Sequence, residues 1–145
     1  MNVLIGIDDS PFSRAALDHV KSLAWPSGTK FLVVSASAPV CVGPGEAAAP
    51  GAIAELIEQQ EKFHRGLADR AVADLKSAGL TVTAKMVPAD PRGAIIDEAK
   101  RMSADLVVVG SHGRSGLTKL LLGSVATHVV THSPCSVLVV KHKAG

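Results

Sequence analysis

Aromatic residues are scarce in this sequence, which contains three Phe, one Trp and no Tyr among its 145 residues. The chain therefore lacks the rings on which single-stranded nucleic acids stack their bases. Its net charge of only +2 is also too small to indicate DNA binding by itself. We expect no nucleic-acid partner, and we expect a hydrophobic core built from Val, Leu, Ile and Ala.

Cysteines and long apolar runs are scarce as well. Cys41 and Cys135 lie far apart and show neither metal-binding nor redox spacing, so reduced thiols are the default expectation. The N-terminus has no basic segment followed by an apolar one, and no apolar run approaches the ~20 residues that cross a membrane. These absences predict a soluble, cytoplasmic protein with no membrane partner.

Acidic residues are missing after Asp105, although the remaining segment contains Arg114, Lys119 and two lysines near its end. The same segment contains a loop rich in glycine and hydroxyl groups, residues 110–116. An acid-free region around such a loop favours an anionic ligand. An ordinary fluctuation of surface charge would give the same pattern, so charge alone does not decide between the two.

Short apolar runs alternate with segments of helical period along the whole sequence. The runs predict five strands, at residues 2–7, 30–36, 80–86, 105–110 and 136–140. Strands that alternate with helices require parallel crossovers. The predicted fold class is therefore α/β: one Rossmann-like domain over residues 1–145, a doubly wound five-stranded parallel sheet with helices on both faces. The apolar–polar alternation of residues 80–86 places that strand near a sheet edge.

The connections carry helix caps and one long loop. Ser10 or Asp9 is expected to cap the first helix, Asp90 the third and Ser124 the last. Residues 38–51 are rich in Pro, Gly and Ala and are predicted to form a loop. We interpret this loop as a mobile cover over a ligand at the end of the second strand, or equally as a surface insertion.

The ends of two predicted strands point to a ligand site. Doubly wound sheets bind ligands beyond the carboxyl ends of their strands. Asp8 ends the first strand and Gly110 the fourth, so both face one crevice if these strands are neighbours. After the glycine loop, Gly123-Ser124 opens a helical pattern. Because a helix N-terminus presents unpaired N–H groups and a positive dipole end, this order predicts a phosphate-bearing ligand.

Two common phosphate motifs are missing. Residues 110–116 lack the Lys-Ser/Thr pair of a P-loop, and DDSP, not G-x-G-x-x-G, follows the first strand. The chain instead carries G-x-x-G at Gly110 and Gly113, then nine residues, then Gly123-Ser124. Together with VLIGIDDSPFSRAAL, DLVVVGSHGRSG, LLLGSVATHVV and SPCSVLVV, this pattern resembles the ATP-binding branch of the universal stress protein family over nearly the full length.

The resemblance implies a strand order of 3-2-1-4-5, which places the first and fourth strands side by side. It implies ATP, with or without Mg, as the cofactor. Asp8 resembles the residue that contacts the ribose and adenine region, and Ala36 resembles the adenine-facing edge. The triphosphate cradle is expected from Gly110, Gly113, Gly123 and Ser124.

Four residues around the predicted site carry open questions. Asp9 stands where the family commonly has Gly, and its carboxylate is expected to weaken polyphosphate binding. Ala89 stands where a Gly often precedes the third helix. Arg114 and Lys119 either neutralise phosphate charge or are ordinary solvated surface charges.

The fifth strand, residues 136–140, is apolar at nearly every position. At a sheet edge, as the family order implies, it would be an aggregation hazard unless it were covered. Pairing with a second copy about a two-fold axis is the simplest closed solution. The sequence therefore predicts a homodimer through this strand, and the resemblance implies the same.

No catalytic residue is identifiable, and His128 and His132 have no carboxylate or Cys after Asp105 to complete a metal site. The leading hypothesis is an ATP-binding stress protein that acts as a nucleotide-dependent switch or sensor. One alternative is a slow Mg-dependent ATP hydrolase in which Asp8 or Asp9 holds the ion. A second is a dimeric stress regulator that binds no nucleotide.

Overall fold

The computed structural model describes residues 1–41, 43–44, 49–114 and 121–143. Strands and helices alternate in the order β1 (Asn2–Ile7), α1 (Pro11–Ser22), β2 (Lys30–Ala36), α2 (Pro50–Ser77), β3 (Thr81–Val87), α3 (Pro91–Arg101), β4 (Leu106–Gly110), α4 (Ser124–His132) and β5 (Ser136–Val140). All strand pairs are parallel, and the sheet has the order β3-β2-β1-β4-β5. The predicted fold class and strand order are confirmed.

The central strand β1 is buried on both faces. Its partners on either side are β2, where Ile5 pairs with Val33, and β4, where Ile5 pairs with Val108. Val3 and Ile5 pack with α1 and α2 on one face, whereas Leu4 packs with α3 and α4 on the other. Because successive side chains point to opposite faces, a continuous apolar run fills both cores.

The two sheet edges differ in polarity. On β3, Val82 is buried whereas its neighbours Thr81 and Thr83 are exposed, so the predicted position near an edge is confirmed. On β5, the apolar residues Val137–Val139 are half-buried, and this strand forms the opposite edge.

Helix starts agree with the sequence at two places and differ at two others. Ser10 accepts a hydrogen bond from the Ser13 N–H, and Asp90 accepts one from Arg92, so both predicted caps are confirmed. The cap predicted for Ser124 is wrong: Gly123 is the N-cap and Ser124 is already helical. The predicted loop 38–51 is also too long, because α2 already begins at Pro50. Proline is tolerated in the first turn of a helix. The interpretation of this loop as a cover involves residues 42 and 45–48, which lie outside the described residues.

Candidate functional site

A cavity of about 400 Å³ lies at the carboxyl ends of β1, β2 and β4. Every residue predicted for the site lines it: Asp8, Ala36, Gly110, Gly113, Arg114, Gly123 and Ser124. Since β1 and β4 are neighbours, their ends meet at one edge of the sheet. The structure thus brings together the groups that the sequence motif predicted. Lys119 lies outside the described residues.

Asp8 is held rigidly at the start of α1. Its Oδ1 accepts hydrogen bonds from the Ser10 N–H at 2.9 Å and from the Ser13 hydroxyl at 2.8 Å. The Asp8 N–H in turn donates to the Ser13 Oγ at 2.8 Å. Its other oxygen, Oδ2, faces Gly113, where an added Cβ would lie only 2.9 Å away. One carboxylate oxygen therefore orients the side chain, and the other faces the glycine turn.

The three glycines of the motif are sites of close approach. A Cβ at Gly110 would lie 2.8 Å from the Cβ of Phe12, and one at Gly123 would lie 3.0 Å from the Cα of His112. Among the described glycines, a positive φ occurs only at Gly28 and Gly79, both outside the motif. Glycine is needed here because the backbone packs closely, not because it turns through the left-handed region.

The two halves of the glycine motif are in direct contact. The Gly123 N–H donates to the Ser111 carbonyl at 2.7 Å, and the Ser111 N–H donates to the Val140 carbonyl at 2.8 Å. These bonds fix the start of α4 against the end of β4 and its neighbour β5. The motif therefore forms one structural unit although its halves are separated in the sequence.

The N-terminus of α4 is open toward the cavity. Ser124, Val125 and Ala126 line the cavity, and no side chain caps this helix. Within the described part of the chain, no group accepts a hydrogen bond from their backbone N–H groups. The helix α2 also begins without a side-chain cap, but its first turn does not line the cavity. Three unpaired N–H donors and the positive end of a helix dipole suit an anion.

Arg114 lines the cavity but is already engaged. Its Nε lies 2.8 Å from Asp9 Oδ1, and its guanidinium carbon lies 5.6 Å from the centre of the Phe63 ring. The Asp9 carboxylate thus forms an ion pair with the guanidinium group of Arg114, which lines the cavity. An anionic ligand that reaches Arg114 must compete with this ion pair.

The helix α2 supplies a polar wall that the sequence analysis missed. Gln60 and His64 line the cavity and also a smaller adjoining chamber of about 140 Å³. His64 is 5% exposed, and its Nδ1 lies 2.8 Å from the Ser35 hydroxyl. Burial lowers the pKa of His64, and the charge of Arg114 lowers it further. The sequence does contain a pattern that indicates an inward-facing position for these two residues. Gln60 and His64 continue, at helical spacing, the stripe of buried residues that contains Ala68, Ala71 and Leu75.

Two further features are absent from the described part of the chain. No helix there is long and apolar enough to cross a membrane. No group of three or more His, Cys, Asp or Glu residues there is placed to hold a metal ion. His128 and His132, the spaced pair noted in the sequence, stack on each other with ring centres 4.1 Å apart.

The fold and the cavity define a parallel α/β protein with a cavity between two glycine turns. The universal stress protein family model matches residues 1–141, and the chain belongs to this family. It is 30% identical over 149 residues to the universal stress protein Sll1388 of Synechocystis, covering 97% of each chain. It is 35% identical over 140 residues to a universal stress protein of Mycolicibacterium smegmatis, covering 96% of this chain but only 45% of that one.

Solved structures of similar proteins agree with this assignment. The protein MJ0577 superposes with a TM-score of 0.86 at 26% identity, covering 99% of this chain and 97% of that one. A universal stress protein solved in complex with cAMP superposes with a TM-score of 0.69 at 27% identity, covering 97% and 96%.

Proposed function

We propose that this protein binds an adenine nucleotide, ATP in the first instance, in the 400 Å³ cavity. The observation that carries the proposal is the uncapped start of α4, whose three free N–H donors open into a cavity closed by glycines without room for a Cβ. The phosphates would lie against Ser124 and the turns at Gly110, Gly113 and Gly123. The similar protein in complex with cAMP supports an adenine nucleotide as the ligand class.

The other predicted residues take roles that follow from their positions. Asp8 would accept hydrogen bonds from ribose hydroxyls through Oδ2, because its Oδ1 is already occupied. Ala36, at the end of β2, would form the edge against which the base lies. Arg114 would neutralise phosphate charge once it leaves Asp9.

Isothermal titration calorimetry with Mg-ATP tests this assignment. Saturable binding is expected, and a lack of heat or saturation at millimolar nucleotide would refute it. In Gly113→Val the new Cβ would lie 2.9 Å from Asp8 Oδ2, so we expect affinity to fall at least tenfold, about 1.4 kcal/mol. The matched control is Gly93→Val, because an added Cβ there meets nothing within 4 Å.

The nucleotide would act as a signal in stress adaptation. The motif residues that line the cavity, Gly110, Gly113, Gly123 and Ser124, offer backbone N–H donors and a hydroxyl rather than a base, which favours a switch or sensor over an enzyme. We infer a cytoplasmic location, where the free thiols Cys41 and Cys135 would stay reduced. A slow ATP hydrolase is the alternative, and single-turnover ADP release faster than in buffer, lost in Asp8→Ala, would favour it. A regulator that binds no nucleotide would keep its activity in Gly113→Val.

We further propose that two copies of the chain form a homodimer through Ser136–Val140. This strand is an edge of the sheet, and its residues 137–139 are half-buried. Pairing with a second copy would cover both its backbone groups and its side chains.

A further inference from the structure

We propose that Gln60 and His64 read the edge of the purine base and select adenine over guanine. The inference rests on the proposed nucleotide function and assigns a specificity role to two side chains of α2. Both residues line the cavity and the adjoining chamber. They are four residues apart on one helix, so they lie on the same face, one turn above the other.

The orientation of the Gln60 amide is fixed by its neighbours. Its Nε2 donates to the Ala38 carbonyl at 3.3 Å and also contacts the Ser37 hydroxyl. A backbone carbonyl only accepts hydrogen bonds, so the NH₂ group must lie on that side. The amide oxygen, Oε1, has no hydrogen-bond partner within the described part of the chain. Gln60 therefore offers an acceptor to a ligand.

The tautomer of His64 follows from Ser35. That serine is fully buried, and its hydroxyl has His64 Nδ1 as its single hydrogen-bond partner within the described residues. A buried hydroxyl hydrogen must be satisfied, so Ser35 donates to Nδ1. An Nδ1 that accepts this bond carries no proton, so the ring is neutral, and burial, which lowers the pKa of His64, acts in the same direction. The remaining proton of His64 is therefore on Nε2.

The Nε2–H of His64 faces a ligand-accessible space. This N–H makes no hydrogen bond with the described residues. Every fully buried side-chain nitrogen or oxygen of the described residues does have a hydrogen-bond partner. Nε2 is therefore not sealed from solvent. Because His64 is otherwise buried and lines both the cavity and the chamber, its open side is the cavity side. His64 therefore offers a donor to a ligand.

An acceptor and a donor on the same face of α2, both lining the cavity, match adenine. Adenine presents its 6-amino donor next to a ring-nitrogen acceptor, so the amino group can donate to Gln60 Oε1 while the ring nitrogen accepts from His64 Nε2–H. Guanine and hypoxanthine carry an oxygen acceptor at position 6, which would face the Gln60 oxygen. Unpaired acceptors in a partly buried site are costly, and this mismatch would reject them.

A series of 5′-monophosphates tests the pair on the unmodified protein, because these ligands share their sugar and phosphate. We expect AMP to bind at least about tenfold more tightly than IMP or GMP. We expect purine riboside 5′-monophosphate, which lacks the 6-amino group, to lose about 3- to 10-fold relative to AMP. Equal affinity for AMP, IMP and GMP would overturn the base-reading role while leaving nucleotide binding in place. Failure of every nucleotide to bind would instead refute the proposed function, and this inference with it.

Two variants assign the selectivity to the residues. Gln60→Leu should weaken AMP binding about 3- to 10-fold, reduce the AMP-to-IMP ratio, and leave purine riboside 5′-monophosphate binding unchanged. Gln59→Leu is the matched control, because Gln59 is the same residue type on the same helix, is exposed and lines neither cavity. His64→Phe should lower AMP affinity by a similar factor, with circular dichroism to establish folding. An unchanged AMP-to-IMP ratio in Gln60→Leu would overturn the inference.

Discussion

At the scale of single residues, the ion pair between Asp9 and Arg114 limits the positive charge that the cavity offers to a phosphate. Removing the carboxylate charge in Asp9→Asn should free the guanidinium and raise ATP affinity roughly 3- to 10-fold, with a smaller gain for AMP. Calorimetry at low ionic strength measures both ligands. Asp97→Asn, which makes the same charge change at an exposed position on α3, should alter neither. Equal increases in affinity for ATP and AMP would contradict the idea that Asp9 competes with the phosphates for Arg114.

His64 should also make stability depend on pH. Burial lowers the pKa of His64 in the folded protein. As the pH falls, the unfolded chain therefore binds a proton at this residue before the folded chain does, and the free energy of unfolding decreases. We expect the urea midpoint to decrease between pH 7.5 and 5.5, beginning near the usual His pKa of about 6.5. This slope should flatten in His64→Gln. It should persist in His19→Gln, since His19 is exposed, and an unchanged slope in His64→Gln would refute the explanation.

Site residues were predictable from the sequence where a glycine motif marks places at which the backbone lies close to a neighbouring segment. Gly110, Gly113 and Gly123 line the predicted cavity. These positions require glycine because a Cβ at each would collide with a neighbouring segment. Gln60 and His64 belong to no motif, and their role depends on how α2 docks on β2, which local pattern does not encode. Ser124 was assigned as a cap because serine commonly caps helices, yet here Gly123 takes that place.

At the scale of secondary-structure elements, the carboxylate of Glu98 ties α3 to the edge strand β3. It is buried, and it pairs with Lys85 of β3 at 2.7 Å and with Arg101 of its own helix. Burial raises the pKa of Glu98, but hydrogen bonds from Lys85 and Arg101 outweigh burial and lower it overall. Its contribution to stability is therefore present above the ordinary Glu pKa and is lost as the pH falls through the lowered value.

We expect Glu98→Gln to lower the free energy of unfolding by about 1–3 kcal/mol, because a buried amide cannot replace charge-assisted bonds to two cations. Urea denaturation at pH 7 measures this loss. Glu58→Gln, which breaks an exposed pair with Lys62 on α2, should change stability by less than about 0.5 kcal/mol. Equal effects of the two substitutions would show that the α3–β3 link is not stabilising.

Element boundaries were predicted best where the chain changes burial abruptly. The β1, β2 and β5 spans agree with the sequence because apolar runs end at polar or helix-capping residues. The start of α2 was missed, since the Pro, Gly and Ala content of residues 38–51 is typical of loops although proline and alanine also suit a first helical turn. Composition alone does not separate these two states.

At the scale of the whole molecule, periodicity predicted a parallel α/β sheet but not its strand order. Alternating strands and helices are compatible with several orders, and the order β3-β2-β1-β4-β5 was expected only from the family resemblance. What distinguishes the orders physically is which strands are buried on both faces. Val3, Leu4 and Ile5 of β1 are wholly buried, as a central strand requires.

The same order leaves β5 at an edge, and the proposed homodimer through Ser136–Val140 makes a prediction at this scale. Native mass spectrometry should give twice the chain mass for the unmodified protein. Val137→Lys should give mainly monomer at micromolar concentration, because the two-fold axis would bring two new charges to the paired edge. Thr83→Lys places the same charge on the opposite edge strand, β3, and should leave the dimer intact. A monomeric unmodified protein, or a dimer lost equally in both variants, would contradict pairing through β5.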